Sequence, residues 1–494
     1  MRRAWAIAAM LGAGCLTPIG DGDDDVQRGE ARSLGIHGTD KPESTHDQAR
    51  LALEQDAWRR EHRFLDATDA GHLWRASRPT QDELEAGLFD NEELFGIGGQ
   101  IFELGFTPAI GYGSADLPAF DVVHTGLRGG PDARACVDCH HRGGLAGAGA
   151  AIDNALLRGD GVRASSATVR NPPSLAGAGI VELVARQLSG DLQRRRDEAI
   201  AFVRDEGYGI RIPLNVQGIA FGHLSVDEKG RVDTSEVVGI DGDLTIRPFG
   251  RKGRWASLRD VIEDELAIHH GMQTSWLAAN GATGRVGDFG GDDPDGDGVA
   301  DEVTEGQLTA LTFFVAMLDV PVEDAPAHST VQTAWARGRA DFEDLGCAGC
   351  HVPSLRLTSA EYRLPSRQSG PTRRTFLADE GAMPRIAESI SDEALVVRLY
   401  SDLRRHDMGP GLAEVRAEGA VAGSVFLTPP LWGVAVTGPY LHDGRAPTLE
   451  DAILLHGGEA QASADAYAAL SEADRAPLPV ILTTLRRAPR LVAR

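Results

Sequence analysis

The chain has 494 residues, of which 42% are hydrophobic and 25% charged, an ordinary composition for a globular protein large enough for two or three domains. Its formal net charge of −24 argues against non-specific nucleic-acid binding, because the phosphate backbone attracts basic surfaces. Beyond the N-terminus, no stretch is long and apolar enough to predict a membrane-spanning helix.

The N-terminus predicts export. Residues 1–15 place Arg2 and Arg3 before a short apolar segment that ends at Cys15, the layout of a secretory signal peptide. The stretch LGAGC also resembles a lipoprotein cleavage box, in which the cysteine carries the lipid; plain secretion with loss of Cys15 is the alternative. We therefore expect a periplasmic or cell-envelope protein, with residues 16–50 as an exposed linker.

Two cysteine motifs follow, CVDCHH at 136–141 and CAGCH at 347–351. Two CxxC pairs could hold one zinc ion, and a single pair could form a redox disulfide. Covalent haem needs CxxCH, in which two thiols attach the porphyrin and the adjacent histidine binds the iron. Chance gives only roughly 0.002 copies of CxxCH in such a composition, so the sequence predicts two covalent haem c groups. Their residues are Cys136, Cys139, His140, Cys347, Cys350 and His351.

Strand-like alternation is sparse along the chain, whereas several segments show helical spacing. We therefore predict a mainly α fold of two cytochrome c-like haem domains with long loops and little β structure. The N-terminal haem domain is expected at 51–325 and the C-terminal one at 326–494, where a helix leads directly into the second motif.

A loop at 292–305 has the spacing of a calcium site. Counted from Asp293, carboxylates occupy positions 1, 3, 5 and 9, and Gly298 at position 6 makes the turn. Position 12 is Thr304 instead of the usual glutamate, so a solvated acidic loop is the alternative. The predicted ligands are Asp293, Asp295, Asp297 and Asp301.

The sixth ligand of each iron decides what the protein can do. The segment PTLEDAILLHGGEA predicts a helix that begins after Thr448 and carries His456 on its apolar face, so His456 is the candidate ligand of the second iron, with Met408 as its rival. His141 and His223 could each supply a sixth ligand to the first iron.

A second helix, ASLRDVIEDELAIHHGM, places Glu265 and His269 at the centre of its apolar face and His270 to one side. Beside an iron with an open position, such a pair could move a proton between the two oxygens of peroxide. A buried ion pair that only holds the helix is the alternative.

The stretch FLTPPLWGVAVTGPYLHDGRAPTLEDAILLHG resembles the C-terminal signature of bacterial di-haem cytochrome c peroxidases and of methylamine-utilisation di-haem enzymes. Together with RNPPSLAG, FGRKG, DLRRHDMGPGL and HGGEA, it more strongly resembles their relatives among the di-haem c-type oxidoreductases, over residues 90–490. The resemblance implies a first haem that reacts with peroxide and a six-coordinate second haem that relays electrons. It implies His456 as the distal ligand of the second haem and places His442 near that haem without ligating it; a packing role alone is the alternative for His442.

The chain departs from these relatives in two places. The relatives carry a tryptophan near FGRKG that helps to couple the haems, whereas Arg251 stands in this segment and Trp255 follows. The acidic residue that assists peroxide cleavage has no direct counterpart: His270 lies nearest to its place, and helical phase favours Glu265 and His269.

The sequence thus predicts an enzyme that reduces hydrogen peroxide with electrons from an external donor, such as a small cytochrome, a cupredoxin or a membrane electron-transport chain. One alternative is an electron carrier in which both irons are six-coordinate. The other is an oxidase that uses peroxide to oxidise a protein or a small organic molecule.

Overall fold

The computed structural model describes residues 79–113, 123–125, 132–280, 298–299, 302–363, 389–391 and 394–487. All of these lie in the unit formed by residues 38–494. The predicted signal peptide, the linker and the four aspartates of the predicted calcium loop lie outside the described residues. No helix within the described ranges is long and apolar enough to cross a membrane.

Helices make up the larger share of the regular structure in the described residues. In chain order the α-helices are Gln81–Glu85 (α1), Asn91–Glu103 (α2), Cys136–Cys139 (α3), Ala178–Glu206 (α4), Leu258–His270 (α5), Ser275–Asn280 (α6), Glu305–Ala316 (α7), Ser329–Asp344 (α8), Leu449–Leu454 (α9), Gln461–Ala468 (α10), Glu472–Arg475 (α11) and Pro477–Thr484 (α12).

The strands are short. They are Val123–Thr125 (β1), Ala155–Gly159 (β2), Thr168–Arg170 (β3), Ile210–Val216 (β4), Ile219–Val226 (β5), Val232–Asp233 (β6), Val322–Glu323 (β7), Leu355–Leu357 (β8), Ser389–Ser391 (β9), Ala394–Val397 (β10), Arg405–Asp407 (β11), Val425–Leu427 (β12) and Leu485–Arg486 (β13). They form small sheets of order β1-β2-β3, β4-β5-β6, β8-β10-β9, β11-β12 and β13-β7. Only the β1–β2 pair is parallel among these described pairs.

The prediction of a mainly α fold of two cytochrome c-like domains with little β structure is wrong. The described residues are 41% helical and 16% strand, which makes the fold mixed. The longest strands, β4 and β5, form a hairpin around Gln217 and Gly218, which have φ angles of 52° and 84°. Positive φ at both loop residues suits a tight two-residue hairpin. Burial alternates along β4 and β5 except at Gly222 and His223, opposite the register shift between Pro213 and Asn215.

The largest apolar cluster contains residues from the N-terminal and the C-terminal parts of the described chain. It runs from Leu84 through α2, α4 and α7 to Leu403 and Trp432, while a smaller cluster forms between α8 and α12. At Gly98, α2 approaches α7 so closely that a side chain would collide with the Ala310 carbonyl oxygen. The boundary at residue 325 stays a prediction.

Three helix predictions that bear on the functional residues are confirmed. α8 leads into the second CxxCH motif, as its sequence indicates. Ser257 caps α5, and its side chain accepts a hydrogen bond from the Asp260 amide. Thr448 caps α9 in the same way through the Asp451 amide. These caps satisfy amide groups that the first turn of a helix leaves without partners.

Candidate functional site

Both CxxCH motifs open into one cavity of about 1460 Å³. This volume exceeds the roughly 300–1,000 Å³ of an ordinary small-molecule pocket. All four cysteines of the motifs are free and half-buried, and they all line the cavity. The cavity therefore has the size and the thiols that two large, covalently attached groups require.

His140, the predicted iron ligand of the first motif, has one ring nitrogen held by the backbone. Its Nδ1 donates a hydrogen bond to the Pro173 carbonyl oxygen at 2.9 Å, which leaves Nε2 as the metal-binding atom. Burial lowers the pKa of His140 to about 4, so the imidazole is neutral at pH 7 and its Nε2 lone pair is available. Asp138 steadies the motif by accepting a hydrogen bond from the Ala135 amide.

The second motif repeats this arrangement and adds a second imidazole. His351 donates from Nδ1 to the Tyr400 carbonyl oxygen at 3.0 Å, and burial lowers its pKa to about 4. His456 donates from Nδ1 to the Ala452 carbonyl oxygen at 2.7 Å, and burial lowers its pKa too. The centroids of the two rings lie 6.5 Å apart. That separation accommodates one metal ion about 2 Å from a nitrogen of each ring.

His456 lies just beyond the helix that the sequence predicted to carry it. α9 ends at Leu454, and Leu454 and Leu455 are 40% and 42% exposed. The bond from His456 to the Ala452 carbonyl oxygen nevertheless ties its ring to the last turn. Met408, the rival ligand, lines the same cavity. The assignment of His456 as an iron ligand stays a prediction.

α5 lines the first motif's part of the cavity with Glu265, His269 and His270. Glu265 and His269 form an ion pair, with Oε2 and Nε2 2.7 Å apart. The other ring nitrogen of His269 donates to Asp132 Oδ1 at 2.9 Å. Burial lowers the pKa of His269, but Asp132 and Glu265 outweigh it and hold that pKa well above its usual value. His269 is therefore a protonated imidazolium between two carboxylates.

Glu265 is the member of this pair that is open to the cavity, with 40% of its side chain exposed. Burial alone raises its pKa, yet the attraction of His269 dominates and lowers the pKa below the ordinary value. The charge of Glu265 also acts on His140, the predicted ligand of the first iron. A charged carboxylate thus shares the first motif's part of the cavity with this imidazole.

His270 is buried behind the first motif. Its Nδ1 donates to the Ala133 carbonyl oxygen at 2.9 Å, and its Nε2 lies 3.9 Å from Cys136 Sγ. Burial lowers its pKa to about 4, so it is neutral at pH 7. Its ring meets the edge of Phe106 at 5.0 Å. These contacts place His270 against the attachment site, apart from the Glu265–His269 pair.

His442 lies at the cavity wall and is almost completely buried. Its ring stacks on Phe426 at 4.4 Å, and Lys252 Nζ lies 3.4 Å from the centroid of the Phe426 ring. Burial lowers the pKa of His442 to about 3. Its carbonyl oxygen accepts a hydrogen bond from the Asn171 amide. This bond joins residues 442–444 to the segment that precedes Pro173.

Two alternative ligands of the first iron lie elsewhere. His141 Nε2 is 3.5 Å from Asp153 Oδ2, and His223 is in β5, whose partner strand is β4. Neither histidine is among the described residues that line the cavity. The geometry therefore gives no support to either as a sixth ligand.

Sequence reasoning missed the carboxylates that position two of the histidines. Asp132 joins His269 to His124, whose Nε2 lies 2.9 Å from Asp132 Oδ2. At the second motif His406 lies between Asp402 and Glu459, with Nε2–Oδ2 and Nδ1–Oε2 distances of 2.8 and 2.7 Å. Asp402 lies four residues before His406 and was the one partner within local reach, whereas Asp132 is 137 residues from His269 and Glu459 is 53 residues from His406, so no local pattern links those pairs.

Residues 274–485 match the family model described as "Di-haem oxidoreductase, putative peroxidase". This match confirms the resemblance to the di-haem oxidoreductase family over residues 274–485, which include the second CxxCH motif, and two haems are what that family implies. No curated protein matches the chain.

The solved structures that match the chain over part of its length include the following two. One is hydrazine synthase of Kuenenia stuttgartiensis pressurised with xenon, at 20% identity and a TM-score of 0.24, covering 38% of this chain and 57% of that one. The chain thus spans little more than half of that relative. The other is a MauG-like protein associated with microbial copper homeostasis, at 16% identity and a TM-score of 0.24, covering 53% of this chain and 76% of that one.

Proposed function

We propose that the protein is a di-haem c-type oxidoreductase of the cell envelope that reduces hydrogen peroxide with electrons from an external donor. The observation that carries this proposal is the difference between the two motifs. Across from His351 lies a second imidazole, His456, whose Nε2 makes no hydrogen bond within the described part of the chain. The first motif instead shares its part of the cavity with a carboxylate, Glu265, whose neighbour His269 has both nitrogens bonded to carboxylates.

The residues present fit haem attachment at both motifs. Cys136 and Cys139 would hold one haem with His140 as its ligand, and Cys347 and Cys350 would hold the other between His351 and His456. When bound, the haems supply iron that accepts electrons and, where a coordination position is open, reacts with peroxide. The second site, with an imidazole on each side, is suited to electron relay. The first site is suited to a reaction with peroxide.

Glu265 is the residue that handles protons. Reduction of peroxide follows H2O2 + 2e− + 2H+ → 2H2O, so the donor loses two electrons and both oxygens end as water. As a carboxylate with a lowered pKa, Glu265 can take a proton from one peroxide oxygen and return it to the other. His269 cannot accept a proton, because both of its nitrogens already donate, so it positions Glu265 and balances its charge.

The donor and the location belong to the same proposal. The signal-like residues 1–15 support export, and lipidation at Cys15 would anchor the chain to a membrane. A small cytochrome, a cupredoxin or a membrane electron-transport chain would deliver electrons at the second haem. The exported compartment is also where c-type haem is attached.

Low-temperature electron paramagnetic resonance of the oxidised protein tests the proposal. We expect one high-spin and one low-spin ferric signal, with only the high-spin signal changed by peroxide. Two low-spin signals that do not change when peroxide is added, even after partial reduction, would contradict the proposal. They would instead indicate an electron carrier. Turnover without an added donor but with an organic or protein substrate would instead indicate a peroxide-dependent oxidase.

Replacing Glu265 tests the proton step. Glu265→Gln should lower peroxide turnover by about 10²- to 10⁴-fold, the usual contribution of a positioned acid or base, with haem content and spin states unchanged. Because His269 lowers the pKa of Glu265, wild-type turnover should persist as pH falls to about 4.3, the ordinary pKa of glutamate, and be lost only below it. The exposed Glu343 of α8 provides the matched control, Glu343→Gln, which should leave turnover unchanged. Equal turnover in Glu265→Gln and wild type would rule out this role.

A further inference from the structure

Arg251 projects from the FGRKG segment into the cavity wall. Its Nη2 donates to the Asn171 carbonyl oxygen at 2.6 Å, and its own carbonyl oxygen accepts a hydrogen bond from the Leu427 amide. Asn171 lies two residues before Pro173, which holds His140, and Leu427 belongs to β12. β12 pairs with β11, which carries His406 beside Cys350. Arg251 is thus hydrogen-bonded both to the segment that holds His140 of the first motif and to the strand pair that lies beside Cys350 of the second motif.

The guanidinium of Arg251 has few partners for its five N–H groups. Within the described chain, the Asn171 carbonyl oxygen is the one acceptor it reaches, and its Nε is buried with no hydrogen bond. It forms no ion pair with any described carboxylate. Arg251 is half-buried, with its Nε enclosed. Withdrawing a cation from water without a paired counter-ion is costly, so this side chain is suited to an anion that the cavity receives.

The neighbouring acids are already occupied by other cations. Glu414 pairs with Arg170 and lies 3.4 Å from Lys252 Nζ, while Asp443 pairs with Arg445. Burial, followed by the nearby charge of Arg170, lowers the pKa of Arg251 to about 10, which still leaves it charged at neutral pH. The adjacent Arg254 also lines the cavity, but it is paired with Asp264 and stacked on Trp255.

We propose that Arg251 binds a propionate carboxylate of bound haem where the surroundings of the two attachment motifs meet. This inference rests on the proposed function in one respect, that haem occupies the cavity. A guanidinium is planar and presents parallel N–H donors that match a carboxylate, which makes arginine the residue suited to this role. Haem carries its two carboxylates on one edge and is otherwise apolar, like most of the cavity lining.

A fixed positive charge beside the haem edge has a measurable consequence. Ferrous haem carries one positive charge less than ferric haem, so a nearby cation favours the ferrous form and raises the reduction potential. Removing the cation should therefore lower the potential. This readout does not depend on peroxide turnover.

The experiment is a spectroscopic redox titration of the holoprotein, with haem content measured by mass and by absorbance. Arg251→Gln should lower the potential of at least one haem, changing its ratio of reduced to oxidised form about tenfold at fixed potential, or about 59 mV for one electron. Arg251→Lys, which keeps the charge, should recover most of the shift. Arg254→Gln removes a neighbouring cation that already has a partner and should leave both potentials near the wild-type values.

Each result is informative. Unchanged potentials of both haems in Arg251→Gln, at full haem content, would overturn the inference and leave the proposed function intact. Wild-type protein that carries no covalent haem would refute the proposed function itself. If the guanidinium binds a free anion instead, the wild-type potential will respond to added sulfate whereas that of Arg251→Gln will not, and this too would overturn the inference.

Discussion

His456 is the side chain that most clearly separates the two attachment motifs. In His456→Ala the second iron would keep His351 but lose its second imidazole, because alanine has no donor atom. We expect the low-spin ferric signal to be replaced by a high-spin one, and the reduced variant to bind carbon monoxide at this haem. Electron paramagnetic resonance and carbon monoxide difference spectra measure both changes.

Met408 provides the control for this experiment, since it lines the same cavity and was the rival ligand in the sequence. Met408→Leu preserves bulk and removes the sulfur, so the spectra should remain those of the wild type. If Met408→Leu became high-spin while His456→Ala stayed low-spin, the assignment of the two residues would have to be exchanged.

Whether a contact between two side chains could be predicted depended on how far apart the two residues are in the sequence. Glu265 and His269 are four residues apart on one helix, so helical phase alone brought them together, and they form the ion pair of α5. Asp132 is 137 residues away from His269, and nothing in its local sequence indicates that they meet. The protonation state of His269 depends on both carboxylates, so the sequence could not show which member of the pair accepts protons.

α9 is the element that supports His456, and it has only six residues. Such a short helix is marginal by itself, so its N-cap matters: Thr448 Oγ1 accepts from the Asp451 amide at 3.0 Å, and Asp451 accepts from the Thr448 amide in return. Thr448→Ala should lower the free energy of unfolding by about 1 kcal/mol. Because His456 is bonded to Ala452 of this helix, a fraction of the second haem should also become high-spin.

Thr80 caps α1 with a similar reciprocal pair, and it is not among the described residues lining the cavity. Thr80→Ala should cost similar stability and leave the spin state unchanged. Denaturant unfolding combined with electron paramagnetic resonance separates the two effects. A spin change in both variants, or in neither, would show that the cap of α9 does not position His456.

Elements differed in how well the sequence predicted them. α5 and α9 were recognisable because a capping residue and apolar spacing agree at each of them. α8 has no side-chain cap and was recognisable because its segment runs directly into the second CxxCH motif. The β4–β5 hairpin was not, since its turn is Gln217–Gly218 instead of a strong asparagine–glycine or aspartate–glycine signal. Most of the remaining strands are two or three residues long, too short for an alternating pattern to be detected.

At the scale of the whole molecule, the sequence predicted the cysteines and histidines of both motifs, but it did not predict that one cavity would be lined by both motifs. Long-range contacts determine that arrangement, such as the Asn171 amide bonded to the His442 carbonyl oxygen and the Arg251 carbonyl oxygen bonded to the Leu427 amide. The residues in each of these pairs are far apart in the chain. Pairings of this kind leave no periodic trace in a single sequence.

The net charge of the whole chain bears on the electron donor that the proposed function requires. At −24 the protein should attract a basic donor and repel an acidic one, and salt should weaken both effects. Stopped-flow reduction by a basic small cytochrome should therefore slow by about 10-fold or more as salt rises from low to physiological concentration. Reduction by an acidic cytochrome should accelerate, and an uncharged hydroquinone should show little dependence. If all three reductants responded to salt alike, the long-range charge of the protein would have no part in selecting its donor.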